Sequence, residues 1–172
     1  LLNCANFKTL NMTYGFVYGD EILRQISRRV KEMTDPEHMF FRFNADRFVL
    51  AVEGYRDSKE LADIAEKLVE IFKDPFEGIA KHEYIGLEIS IYEIENQDIS
   101  ADKVLRDASL ALSNIEHIKD EKIVFYKKYM EENLKREDTI EKALRKIISG
   151  EGDDIFYLEF QPKLDIKNEI IN

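Results

Sequence analysis

Cysteine is all but missing from this chain: Cys4 stands alone, so no internal disulfide can form. The three histidines, His38, His82 and His117, lie far apart and offer no zinc spacing. Both features suit a reducing compartment, and a cytoplasmic location is expected. No apolar run approaches the roughly 20 residues that a bilayer-spanning helix needs, and no signal peptide opens the chain. No membrane contact is therefore expected of these residues. The chain begins on Leu1-Leu2 without an initiator Met and reads as a piece of something longer, with room for an anchor upstream. Basic residues are also short: 25 Lys and Arg stand against 35 Asp and Glu, a net charge of −10. A surface this acidic repels a phosphate backbone, so nucleic acid is not an expected partner. Net charge leaves open a small basic pocket for one nucleotide. Internal repeats and low-complexity tracts are absent.

What is present is enough for one domain and an appendage: 172 residues, 44% of them hydrophobic. Ile22, Ile26, Val30 and Met33 recur at steps of four and three, which predicts a helix near 17–34. A second helix near 58–73 carries Leu61, Ile64, Ala65, Leu68 and Phe72, opened by Asp57 and Glu60 as a capping box. A third, near 101–118, aligns Val104, Ala108, Ala111, Ile115 and Ile118 behind the cap Ser100. Residues 39–43 and 48–52 are β-prone runs around Asn44-Ala45-Asp46-Arg47 and predict a hairpin, with Asn44 supplying a left-handed turn residue. From Tyr84 to Ile94 the pattern alternates, with Ile85, Leu87, Ile89 and Ile91 on one face and Gly86, Glu88, Ser90 and Tyr92 on the other. That predicts a half-buried antiparallel strand. With a strand at 1–6 and another at 122–126, the order points to an α+β fold with a largely antiparallel sheet.

Beyond Tyr126 the composition turns highly charged. Residues 127–152 read as a linker helix ended by Gly150-Glu151-Gly152, broken near 136–139, with Asp138 and Glu141 capping its second part. Its apolar stripe (Met130, Leu134, Ile140, Leu144, Ile147, Ile148) is expected to pack on the domain, with dimerisation as the alternative. Residues 156–160 read as a new strand, and Lys167-Asn168-Glu169 as a turn.

Four motifs in order carry a family resemblance. Phe7-Lys8-Thr9-Leu10-Asn11, Gly15 and Gly19-Asp20 resemble the pattern F-K-x-I-N-D-x-x-G-H-x-x-G-D of GGDEF (diguanylate cyclase) domains. Arg42-Phe43-Asn44-Ala45-Asp46-Arg47-Phe48 stands where that family has R-x-G-G-D-E-F. Leu87-Glu88-Ile89-Ser90-Ile91 is similar to its V-T-V-S-I strand. Phe156 to Pro162, with Leu164-Asp165, resembles the opening of an EAL domain, the cyclic-di-GMP phosphodiesterase module. The resemblance implies a nucleotidyl-cyclase-like (ferredoxin-like) fold at 1–126, N-terminally truncated, then the linker helix and an EAL-type hairpin at 153–172.

The resemblance also implies chemistry that this chain has lost. In the family two domains face each other, each holding GTP, and each 3′-hydroxyl attacks the other nucleotide's α-phosphate with Mg²⁺ held by carboxylates. Asn3 and Ala5 stand in place of acidic residues of the first strand. Asp46 keeps one carboxylate, but Arg47 replaces the next and brings a positive charge beside it. Asn44 and Ala45 replace the paired glycines that admit the phosphates. The family's phosphate-binding Lys and Arg align with Glu116 and Asp120. Asp35-Pro36-Glu37-His38 replaces the product-inhibition motif R-x-x-D.

Asn11 and Asp20 match residues that bind guanine. The alternative is that Asn11 sits in a turn and Asp20 caps a helix starting near Glu21; Asp46 likewise suits a turn. Asn44, Ala45, Asp46, Arg47 and Phe48 thus form a degenerate signature, and Asn3 and Asp46 vestigial metal positions. The expectation is a catalytically inactive regulatory module that controls a downstream EAL domain in the same parent chain. No catalytic residue, metal or cofactor is expected, and GTP and Mg²⁺ bind weakly if at all. The alternatives are a platform for dimerisation or protein interaction, a homodimer included, and residual cyclase activity.

Overall fold

A short strand, β1 (Leu2–Ala5), is the middle strand of the main five-stranded sheet. The computed structural model describes residues 1–77, 83–95, 98–115 and 121–150, with the backbone of 82, 164–165 and 170–171. Two units divide it, Leu1–Glu131 and Glu132–Asn172.

In the first unit β1 is followed by α1 (Phe7–Tyr14), α2 (Phe16–Met33), β2 (Met39–Asn44), β3 (Arg47–Ala51) and α3 (Ser58–Ile71). Then come β4 (Phe76–Glu77), β5 (His82–Glu83), β6 (Gly86–Ile91), α4 (Ala101–Ile115) and β7 (Ile123–Phe125). The main sheet has the order β2-β3-β1-β6-β7. Its pairs are antiparallel except β6–β7, which is parallel. The α+β class with a largely antiparallel sheet is the architecture observed.

Alternation along the strands sends Leu2, Cys4, Phe48, Leu87 and Ile89 to the face covered by α2 and α3, where Ile22, Ile26, Val30, Ala65 and Leu68 meet them. Full burial of each large aliphatic side chain here is worth roughly 1.5–3 kcal/mol before chain entropy is counted. On the other face α4 packs Ala111, Leu112 and Ile115 with Val124 and Met130. The helix caps act as the sequence implies at Ser100, whose Oγ accepts from Lys103 N at 3.2 Å, and at Asp57, whose Oδ1 accepts from Glu60 N at 2.9 Å. Glu60 itself reaches back one residue further, to Arg56 N.

Several local expectations are corrected. Asn11 lies inside α1, not in a turn, because Asn6 takes the left-handed conformation (φ 61°) that starts this helix directly after β1. Asn tolerates that region better than most residues. Gly15 (φ 85°) then separates α1 from α2, so Asp20 lies more than one turn inside α2 and caps nothing. Asn44 is not left-handed: Asn6 is the one non-glycine residue of positive φ among those described. The hairpin instead accommodates its Ala45-Asp46 loop with a bulge at Phe43, where the register shifts between Arg42 and Asn44. The strand read at 84–94 is shorter and central. Antiparallel to β1 and parallel to β7, it is covered on its second face at Ser90, whose Oγ donates to the Ala108 carbonyl at 2.7 Å.

The helix α5 (Lys128–Ile148) is continuous where a break was expected. Asp138 and Glu141 pair along it with Lys142 and Arg145, each at 2.6 Å, rather than capping a new start. Met130, in the part of the helix that belongs to the first unit, is buried. In the second unit β8 (Leu164–Asp165) pairs antiparallel with β9 (Ile170–Ile171). The strand expected at 156–160 and the turn at 167–169 lie outside the described residues.

Candidate functional site

Strand register, rather than proximity in sequence, assembles the site. Asn3 of β1 faces Arg47 of β3 on one side and Glu88 of β6 on the other. Because Leu2, Cys4, Phe48, Leu87 and Ile89 point into the core, these three polar side chains share the opposite face. Asn3 Nδ2 donates to Glu88 Oε2 at 2.8 Å. Its Oδ1 accepts from Arg47 Nε at a long 3.4 Å. One neutral amide therefore bridges a carboxylate and a guanidinium across three strands.

The hairpin tip is fixed by its own groups. Arg42 donates through Nε and Nη2 to the Ala45 carbonyl at 2.9 and 2.6 Å, and Asn44 Oδ1 accepts from Ala45 N at 2.7 Å. The Asp46 carbonyl accepts from Cys4 N–H at 3.0 Å, which ties the tip to β1. Phe48 is a core residue, 1% exposed and stacked on Phe40. Burial pushes the Cys4 thiol up to about 12, with the negative charge of Asp46 adding to the rise and Arg42 opposing it.

Asp20 on α2 is exposed, its Oδ1 at 3.9 Å from Arg42 Nη1. Asn11 packs against α2 so closely that a Cβ on Gly19 would stand 1.9 Å from its Oδ1. That oxygen is buried and has no hydrogen-bond partner, an unusual state for a buried acceptor.

The structure thus brings Asn3 and Arg47 together, links Asp46 to β1 through its backbone, and connects Asp20 to the hairpin through Arg42. Asn11 belongs to a separate contact with Gly19. Glu116 and Asp120 lie outside the described residues. Glu88 was not picked out from the sequence as a site residue. The alternation of β6 placed it on the polar face, but nothing in the sequence showed that β1 lies beside that strand. Among the described residues no three His, Cys, Asp or Glu side chains gather to hold a metal ion. An amide, a guanidinium and one nearby carboxylate are a poor donor set for Mg²⁺, which prefers several hard anionic oxygens.

Comparison with known proteins agrees with this architecture. The family model for the diguanylate cyclase GGDEF domain matches residues 1–122. Diguanylate cyclase DgcN of Escherichia coli is 29% identical over 124 residues, which are 72% of this chain and 30% of DgcN. The bifunctional diguanylate cyclase/cyclic di-GMP phosphodiesterase MucR of Pseudomonas aeruginosa is 26% identical over 169 residues, 95% of this chain and 23% of MucR. The chain therefore spans less than a third of the length of these relatives. Among solved structures, the GGDEF domain of TpbB (YfiN) from Pseudomonas aeruginosa superposes with a TM-score of 0.71 over 78% of each chain, at 17% identity. The active GGEEF domain of a diguanylate cyclase from Vibrio cholerae gives 0.61 over 74% of this chain and 80% of that one, at 20% identity.

Proposed function

The chain belongs to the diguanylate cyclase GGDEF-domain family, and we propose that it is a catalytically inactive member that regulates other domains of a cyclic-di-GMP signalling protein in the cytoplasm. The observation that carries this reading is the Glu88–Asn3–Arg47 bridge. The reaction needs a divalent cation to activate a sugar hydroxyl and offset phosphate charge. Here the amide of Asn3 is engaged by neighbours on both sides, and Arg47 holds a fixed positive charge opposite it. Neither group supplies the anionic oxygen that such an ion requires.

The same reading takes residues 1–126 as the inactive domain, 127–152 as a linker helix and 153–172 as the start of an EAL domain. The long matches to MucR and to the cyclic di-GMP phosphodiesterase NbdA of Pseudomonas aeruginosa, the latter over 95% of this chain, support that order. Control is exerted through weak guanine-nucleotide binding near Asn11 and Asp20. Supporting that, Asp20 keeps an exposed carboxylate and Asn11 an unpaired acceptor, although the close packing of Asn11 on Gly19 limits how far it can serve a base.

Incubation of the purified chain with GTP and Mg²⁺, followed by chromatography, tests the main claim. No cyclic-di-GMP is expected, and a clear product peak overturns it. A second reading, a protein-interaction platform without nucleotide, is favoured by one feature. Met12, Phe16 and Val17 lie 78–82% exposed around the α1–α2 junction, the kind of apolar patch that marks contact surfaces. The absence of any thermal shift at millimolar GTP favours this second reading.

A further inference from the structure

We infer that Arg47 takes over the electrostatic role of the divalent cation, so that the site receives the phosphate of a guanine nucleotide free of metal, and Mg²⁺ weakens its binding. This rests on the reading above that a weak guanine-nucleotide site persists. The register opposite Asn3 fixes Arg47 at the position that faces the vestigial metal residue. Its Nε makes one long contact, to Asn3 Oδ1 at 3.4 Å. No contact to Nη1 or Nη2 accompanies it among the described residues, so these donors are left for an anion. A guanidinium meets phosphate oxygens with paired donors in one plane and keeps its charge at any relevant pH.

Glu88 is held by the Asn3 amide rather than by Arg47 directly. The guanidinium is therefore only partly neutralised from within the sheet. Arg42, the other cation at the hairpin, is occupied by the Ala45 carbonyl and lies near Asp20. A nucleotide that arrives chelated to Mg²⁺ brings a second cation against the fixed one and less net negative charge to attract it. A bare triphosphate brings neither penalty. The dependence on metal is thereby opposite in sign to that of a site built from carboxylates.

Titration calorimetry of GTP into the 172-residue chain, with excess EDTA and then with millimolar MgCl₂, tests this. Binding is expected in EDTA and should be several-fold weaker in magnesium. Arg47→Ala should lose about tenfold in EDTA, as expected for one charge-assisted hydrogen bond, while Arg47→Lys keeps part of the affinity. The triple variant Asn3→Asp/Arg47→Glu/Glu88→Thr, which also removes the like charge opposite position 3, should reverse the sign, so that magnesium strengthens binding. Circular dichroism checks that each variant folds. Magnesium-strengthened binding by the wild-type chain, or no binding in either buffer, overturns the inference and leaves the inactive-domain reading intact. Cyclic-di-GMP formation, measured separately, overturns that reading instead.

Discussion

Asn3 Nδ2 lies 2.8 Å from Glu88 Oε2, directly across the β1–β6 pair. The contact is favourable only because the residue on β1 is an amide: a carboxylate there would face Glu88 as a like charge. The two positions are thus coupled. An acidic residue cannot simply be restored at position 3 while Glu88 remains.

Asn3→Asp is accordingly expected to destabilise the fold by about 1 kcal/mol, from the lost hydrogen bond and cross-strand repulsion, with Arg47 opposing part of the loss. Adding Glu88→Thr should recover most of it. Urea unfolding of the single and double variants measures the coupling, and simple additivity of the two changes argues against it.

Gly19 offers a test of sign. Gly→Ala inside a helix usually gains up to about 1 kcal/mol. Here a Cβ would fall 1.9 Å from Asn11 Oδ1 and 3.1 Å from Phe7 Cζ, so Gly19→Ala should fail to gain and should lower the melting temperature. With Asn11→Ala in the background, the same change should recover stability. Equal effects in both backgrounds would show that Asn11 is not the obstacle.

Arg29 clamps the chain between α3 and β4. It donates to the carbonyls of Ile71, Asp74 and Pro75 at 2.8–2.9 Å and lies 3.9 Å over the ring of Phe76. Arg29→Ala should cost about 2 kcal/mol in unfolding free energy. Arg29→Lys should rescue little, because a single ammonium cannot span the fork. Denaturant midpoints decide the matter, and full rescue by Lys reduces the clamp to a point charge.

Cys4 gives a pH dependence. Its thiol rises from an ordinary 9.0 to about 12 in the folded state, through burial. The folded chain keeps the proton longer than the unfolded one. The thiol's contribution to stability is therefore complete below about 9 and falls as pH rises from there towards 12. Cys4→Ala should flatten that part of the stability profile, while lowering stability overall through the lost packing. At neutral pH a thiol reagent should label Cys4 only as fast as the chain opens. Rapid labelling of the native state contradicts the burial argument.

The sequence by itself determined the parts governed by local periodicity. The stripe Ile22-Ile26-Val30 can be satisfied only by a helix with one buried face, and the alternation from Ile85 to Ile91 only by a strand. The motif order was equally legible and pointed to the GGDEF family. Asn6, Asn11 and Asn44 show where local reading stops. All three residues tolerate turns, and which one turns left-handed depends on how β1 must enter α1, not on the residue itself.

The tertiary structure alone decided which strands lie side by side. Asn3, Arg47 and Glu88 are separated by tens of residues, and their meeting follows from the register of β3 and β6 on β1. It decided too that β6 is central, so that Ser90 on its polar face is buried under α4. Hydrophobic pattern records which face of an element is inward, but it carries no label for the neighbour. Backbone pairing supplies that label, and with it the charge that stands opposite Asn3.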